Sequence, residues 1–225
     1  MTRLAGILLD LDGTIADSID FFYLLACEVL EEASLPAPAR ADVLDAIAGG
    51  VAPFERFLPA DFPGRDRFLE RVYRERFPEW IRRYGAEIEP LPGAVDTVMG
   101  LHRRGLALAL VTSSSGPLPF LDRWGIRECF RTIVGREDVR RIKPDPEAVL
   151  SSLARLGLSA AEVLGVGDTP LDVRAGLGAG VATVGVLTGA ATAEQLRAAG
   201  AVAVLDSLAG LPDFLDQSFS DKTER

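Results

Sequence analysis

From residue 94 onward the chain alternates helix-like and strand-like segments with little between them, and this alternation restricts the fold more than any other feature. "AVDTVMGLHRRG" precedes "LALALVT", "LPFLDRWG" precedes "RTIVG", and "PEAVLSSLARLG" precedes "EVLGVGD". "LDVRAGLGAG" then precedes "VATVGVL", and "AEQLRAAG" precedes "AVAVLD". The strand-like runs are mostly continuously apolar, as strands covered on both faces must be. Repeated units of this kind close as crossovers over a parallel sheet. "LAGILLD" at the start has the same buried texture and joins that sheet. The sequence therefore predicts an α/β protein with a Rossmann-like, doubly wound parallel sheet.

A different texture separates the first strand from the rest. "DSIDFFYLLACEVLEEAS" repeats Ile19, Phe22, Tyr23, Ala26, Leu30 and Ala33 at helical spacing, with Asp17 or Ser18 as its cap and Pro36 and Pro38 beyond its end. "ARADVLDAIA" is a second helix, stopped by Gly49-Gly50. "RDRFLERVYRERF" is a third, interrupted at Pro78 and resumed in "EWIRRYG". No strand-like stretch occurs there. The predicted organisation is a catalytic core of residues 1–16 and 91–225, carrying an all-helical cap of residues 17–90 inserted after the first strand.

Composition narrows the partners. A net charge of −9 argues against a nucleic-acid surface, which needs a basic face. An anionic substrate must then be drawn in by a metal or by local positive charge. No run approaches the ~18 apolar residues of a membrane span. The N-terminal apolar run is short and broken by Asp10, unlike a signal peptide. Cys27 and Cys129 are far apart and read as reduced, buried thiols, which fits a cytoplasmic protein. The polar tail "QSFSDKTER" reads as frayed. Oligomeric state is left open between monomer and homodimer.

Four strand ends carry polar signatures: "DLDGT", "VTSS", "IKPDP" after a loop, and "VGDTPLD". In an open parallel sheet, ligands sit beyond the carboxyl ends of the strands, so all four can converge. Asp10 and Asp12 flank one residue and would point the same way on a strand. Two bare carboxylates about 4 Å apart repel by about 4 kcal/mol at an effective dielectric near 20, so a cluster of Asp10, Asp12 and Asp168 needs a cation. Hard oxygen donors without His or Cys favour Mg²⁺. Only Lys143 and Lys222 among the 24 basic side chains are lysine. A compact ammonium at Lys143 can touch a carboxylate and a phosphate together. Thr112 and Ser113 offer hydroxyl and N–H donors, and Gly13 lets the backbone approach a ligand. Each signature has a plain structural reading by itself; their joint occurrence in this order carries the weight.

"DLDGT", "VTS", "KPDP" and "GDTPLD" in this order resemble the four motifs of the haloacid-dehalogenase superfamily. More narrowly, the chain is similar to the phosphoglycolate-phosphatase-like members with a helical cap. The resemblance implies a Mg²⁺-dependent phosphatase acting on a small phosphorylated metabolite, with 2-phosphoglycolate the leading candidate. It implies Asp10 as nucleophile and Asp12 as general acid and base. Thr112, Lys143 and the Ser113 N–H would hold the phosphoryl group. Asp168, Asp10 and the backbone carbonyl of Asp12 would bind the metal, and Asp172 would bind it or orient its shell. Gly49-Gly50 resembles the family's cap specificity loop, with a plain helix stop the equal alternative. Asp12 points to phosphoryl transfer rather than halide displacement.

The cap contains no lysine and no histidine. Schiff-base phosphonate cleavage, which uses a cap lysine in this family, is therefore disfavoured; a sugar-phosphate mutase, which uses a cap histidine there, is disfavoured too and stays as the alternative enzyme. His102 reads as a surface residue of a core helix. The eight arginines between Arg56 and Arg83 read as ion-paired exposed helices. A non-enzymatic phospho-receiver module is the second rival. "GLGAG" at 176–180 follows a helix and precedes a strand, the reverse of a dinucleotide site.

Overall fold

The computed structural model describes residues 3–114 and 118–219. The strands are β1 (Gly6–Leu9), β2 (Ala16–Asp17), β3 (Glu89–Pro90), β4 (Ala107–Val111), β5 (Phe130–Val134), β6 (Val163–Gly167), β7 (Ala182–Val186) and β8 (Ala203–Leu205). The helices are α1 (Ile19–Glu32), α2 (Arg40–Ala48), α3 (Pro53–Phe57), α4 (Arg65–Arg71), α5 (Phe77–Tyr84) and α6 (Ala94–Arg103). They continue with α7 (Pro119–Arg123), α8 (Glu147–Leu156), α9 (Pro170–Gly178), α10 (Ala193–Ala199) and α11 (Leu211–Phe219).

Six strands form one sheet in the order β5-β4-β1-β6-β7-β8, and every pairing in it is parallel. Leu9 of β1 lies across from Leu110 on one side and Val166 on the other. The order runs outward both ways from β1, so a crevice opens beyond its end, between β4 and β6. The two-residue period of a strand divides the core into layers. Ile7, Leu9, Leu108 and Leu110 pack with Val98, Leu101, Leu211 and Leu215. Leu8, Ala109 and Val111 pack on the opposite face with Val149, Leu153 and Ala175. The doubly wound α/β fold read from the sequence is the fold of the protein. Among the described residues no helix is long and apolar enough to cross a membrane.

β2 and β3 pair antiparallel, Ala16 opposite Pro90 and Asp17 opposite Glu89. The chain therefore enters and leaves the α1–α5 segment side by side. This ribbon was not predicted, because two residues per strand carry no readable periodicity. Arg123 of α7 braces it by donating to the carbonyls of Ala86 and Ile88. Inside the helical segment Phe21 meets Trp80 edge-on with ring centroids 5.2 Å apart. The Trp80 indole N–H donates to Glu28 at 2.6 Å, so the buried ring keeps its polar atom satisfied.

Four local expectations need correction. Pro78 does not interrupt a helix: residues Val72–Arg76 widen into a π-turn and Pro78 falls in the first turn of α5, where a missing N–H is tolerated. Ser18 occupies the N-cap of α1 without making a capping bond, and its hydroxyl is buried. The tail is ordered further than expected, since α11 runs to Phe219, and residues 220–225 lie outside the described residues. Cys129 is buried and Cys27 only half-buried, and both are free thiols.

Candidate active site

β1 stops at Leu9, and the next residue turns its side chain into the crevice. Asp10 is anchored by its own N–H, which donates to the Val166 carbonyl at 2.9 Å. The chain then turns through Gly13 at φ +76°. A Cβ on Gly13 would fall 2.7 Å from Asp168 Oδ2 and 2.9 Å from the Gly189 Cα. Gly13 is therefore required twice, by its left-handed backbone and by the carboxylate beside it.

Lys143 is the centre of the charged cluster. Its buried ammonium donates to Asp10 Oδ1 at 2.6 Å, to Asp172 Oδ1 at 2.5 Å and to the Val111 carbonyl at 3.0 Å. A cis bond joins Lys143 to Pro144. Burial works against the ammonium charge, but Asp10 and Asp172 outweigh it and hold Lys143 charged well above its usual range.

Asp172 sits at the third position of α9. Its Oδ2 accepts from the Thr169 N–H at 3.0 Å and from the Thr169 hydroxyl at 2.6 Å, closing a capping box, while its Oδ1 holds Lys143. Both of its oxygens are thus committed. Asp168, the last residue before the α9 cap, is 1% exposed. Its Oδ2 accepts from the Ala190 N–H at 3.0 Å. Its Oδ1 is buried and has no hydrogen-bond partner among the described residues. Carboxylate oxygens of Asp10, Asp168 and Asp172 lie within 4.8 Å of one another.

Burial pushes the Asp10 carboxyl up from 3.8 to about 7; Lys143 pulls it down, and Asp172 and Asp12 add to the rise. Asp168 is raised well above its ordinary value, first by burial and then by Asp10 and Asp172. Burial also raises Asp12, against the hydroxyls of Ser114, Ser18 and Thr112 and the charge of Lys143. Three crowded carboxyls against one ammonium leave unbalanced negative charge, which a divalent cation would relieve. The donors are hard oxygens, and Asp168 Oδ1 is a buried oxygen without a hydrogen-bond partner among the described residues; both fit Mg²⁺.

The remaining predicted residues fall around this cluster. Thr112 is buried, its N–H held by the Val134 carbonyl at 3.0 Å. Ser113 is exposed on the rim of the cleft above the acids. Gly49 closes α2 with an ordinary backbone conformation. Its neighbour Gly50, at φ +78°, lines the cleft and packs on Leu171. His102 lies exposed on α6. The glycines of "GLGAG" serve packing: a Cβ on Gly176 would fall 2.1 Å from the Thr183 hydroxyl.

Sequence reasoning missed two contributors. Ser114, one residue past Thr112 and Ser113, donates its hydroxyl to Asp12 Oδ2 at 2.6 Å. The loop after β7 supplies Thr188, whose hydroxyl donates to the Gly13 carbonyl at 2.7 Å. It also supplies Ala190, whose N–H holds Asp168. The signal was present, since "TGA" follows the apolar "VATVGVL" as "DGT" follows "LLDL".

The cluster opens into a cleft of about 530 Å³ between the sheet end and the α1–α5 segment. A parallel sheet with four such strand ends defines a class, and comparison with known proteins agrees. The chain matches the family described as haloacid dehalogenase-like hydrolase over residues 7–186, and it belongs to that family. It is 29% identical to a phosphoglycolate phosphatase of Salmonella paratyphi A, over 100% of this chain and 97% of the relative. It is 31% identical to an N-acetylmuramic acid 6-phosphate phosphatase of Pseudomonas aeruginosa, over 97% of this chain and 98% of the relative. Among solved structures it resembles a putative beta-phosphoglucomutase from Thermotoga maritima, with a TM-score of 0.72, 25% identity, and coverage of 96% of this chain and 100% of the other. The protein is accordingly an enzyme, a phosphatase of this family, and the phospho-receiver reading is set aside.

Proposed function

We propose that the protein is a Mg²⁺-dependent phosphomonoesterase that works through an aspartyl-phosphate on Asp10, with residues 17–90 closing over the site as a cap. The observation that carries this reading is the buried Asp168 Oδ1, without a hydrogen-bond partner among the described residues, on a carboxylate that clusters with Asp10. Asp10 and Asp168, with the Asp12 carbonyl that the resemblance implies, would hold the ion. Mg²⁺ there would offset the charge of the carboxylates and of the incoming phosphoryl group.

Asp10 attacks phosphorus, and the bond from phosphorus to the alcohol oxygen breaks. Asp12, whose raised carboxyl favours the protonated form, gives its proton to that oxygen. Water then attacks the phosphorus of the acyl phosphate and gives a proton to Asp12. Phosphate departs, and Asp10 is restored. The Thr112 hydroxyl, the Ser113 N–H and Lys143 hold the phosphoryl oxygens. Asp172 acts by positioning Lys143, because its oxygens are already bound to Lys143 and to the α9 cap. The substrate contact expected at Gly49 passes to Gly50, which lines the cleft. A mutase would return phosphate from Asp10 to the sugar, and no histidine lies in residues 17–90 to assist that transfer.

The direct test is turnover of p-nitrophenyl phosphate. We expect phosphate release with Mg²⁺ and none after chelation; equal rates in both would refute the reading.

The raised carboxyls also set a pH dependence. A carboxyl held near 7 in the folded state and 3.8 in the ordinary state favours folding only while protonated. That contribution is full below 3.8 and is lost as pH rises through about 7. Metal competes with those protons at low pH. The rise in Tm on adding MgCl₂ should therefore be larger at pH 8 than at pH 5. Equal shifts at both pH values would contradict it.

The Asp168 support can be tested at Gly189. A Cβ there would fall 1.8 Å from Asp168 Oδ2, so Gly189→Ala must displace the carboxylate. The Mg²⁺ concentration for half-maximal turnover should rise about 10- to 100-fold, the usual cost of disturbing a ligand's support. An unchanged Mg²⁺ dependence would show that Asp168 does not hold the ion.

A further inference from the structure

The cleft above the acids has two unlike ends. Its floor is the charged cluster; its far wall, built from the α1–α5 segment, is apolar. Phe22, Ile47, Val51, Phe54, Tyr73 and Phe77 form that wall. Phe22 and Phe77 stack with centroids 6.5 Å apart at 18°, and Phe54 meets Tyr73 at 5.4 Å and 64°. Val51 and Tyr73 are 39% and 37% exposed, large side chains left open to the cleft. Ile142 and Leu171 continue the apolar surface on the core side.

The charges on this wall are as informative as its rings. The charged side chain it contributes to the described lining is Glu55, which accepts a hydrogen bond from the Tyr73 hydroxyl. The cation lining the cleft besides Lys143 is Arg136, from the core, and its guanidinium rests over the Tyr73 ring at 5.8 Å. Lys143 is already shared by two carboxylates. A substrate carrying a second anionic group would place it against an apolar wall where Arg136 and Glu55 both adjoin the Tyr73 ring, so their charges offset and desolvation opposes it. The volume argues the same way. About 530 Å³ is the size of a site that encloses a ring-bearing ligand, and a two-carbon acid phosphate would leave the wall unfilled.

We infer that the substrate is the phosphomonoester of an alcohol with an apolar, ring-bearing body and no second anionic group, its far end facing the Tyr73–Glu55 pair with at most a hydroxyl or ammonium donor. This rests on the phosphatase reading above and specifies its substrate class. The rings and Glu55 act on binding of the alcohol, and the chemistry at Asp10 is common to any phosphomonoester.

Three alkyl phosphates with Mg²⁺ test it: 2-phenylethyl phosphate, 2-(4-carboxyphenyl)ethyl phosphate and 2-phosphoglycolate. p-Nitrophenyl phosphate serves as the control for the underlying chemistry. With that control active and dependent on Asp10, we expect kcat/KM for the phenyl compound to exceed that for 2-phosphoglycolate by about tenfold or more, within the range that apolar pockets discriminate. The added carboxylate should lower kcat/KM through KM, and Glu55→Gln should recover part of that loss. Faster turnover of 2-phosphoglycolate than of the phenyl compound, lowered by Arg136→Met, would overturn the inference while leaving the phosphatase reading intact. An inactive control would remove that reading, and this inference with it.

Discussion

Asp10→Asn should lower kcat by about ten-thousand-fold or more, the scale on which removal of a nucleophile acts, and should leave the fold intact. The structure separates the two effects. Asn is the same size and can still accept from Lys143, which keeps its bonds to Asp172 and the Val111 carbonyl. The substitution also removes one charge from a cluster whose burial and mutual repulsion already push Asp10 up to about 7. Tm without metal should therefore not fall. Turnover by the variant within tenfold of the natural protein would mean that another group attacks phosphorus.

Lys143→Met has the opposite profile, a large loss of stability. The side chain is 7% exposed, and its ammonium answers two buried carboxylates and one carbonyl. Removing one partner of a buried ionic cluster leaves uncompensated charge, at a cost of about 3–5 kcal/mol. Urea unfolding near neutral pH measures it. Adding Asp172→Asn to Lys143→Met should recover part of the loss, because the orphaned charge goes too, and the non-additivity gives the coupling between the pair. A loss under about 1 kcal/mol would place Lys143 among ordinary surface lysines.

Much of this architecture was legible in the sequence for a physical reason. Strands covered on both faces must be apolar throughout, so β1, β4 and β6 stand out, and a carboxylate at their ends is conspicuous. That is why Asp10 and Asp168 could be placed in one crevice although the chain separates them widely. Other features had no periodic signature. The β2–β3 ribbon is two residues deep on each side. The π-turn at Val72–Arg76 looks like ordinary helix in its residues. The role of Gly189 depends on the approach of Asp168 from another strand, which no local pattern reports. Ser114 lies inside the motif "VTSS", but adjacent serines cannot be ranked without a backbone. Asp172 had its position read from sequence, but whether it ligates or positions became arguable only once both oxygens were seen to be engaged.

Turnover by the proposed route requires the phosphoryl group to pass through one carboxylate, that of Asp10. Enzyme caught during turnover with Mg²⁺ and p-nitrophenyl phosphate, quenched rapidly and reduced with borohydride, can be digested and read by mass spectrometry. An acyl phosphate is reduced to the alcohol, so homoserine should appear at position 10, only when substrate is present. Reduction at Asp12 or Asp168, or at no carboxylate while phosphate is released, would contradict it.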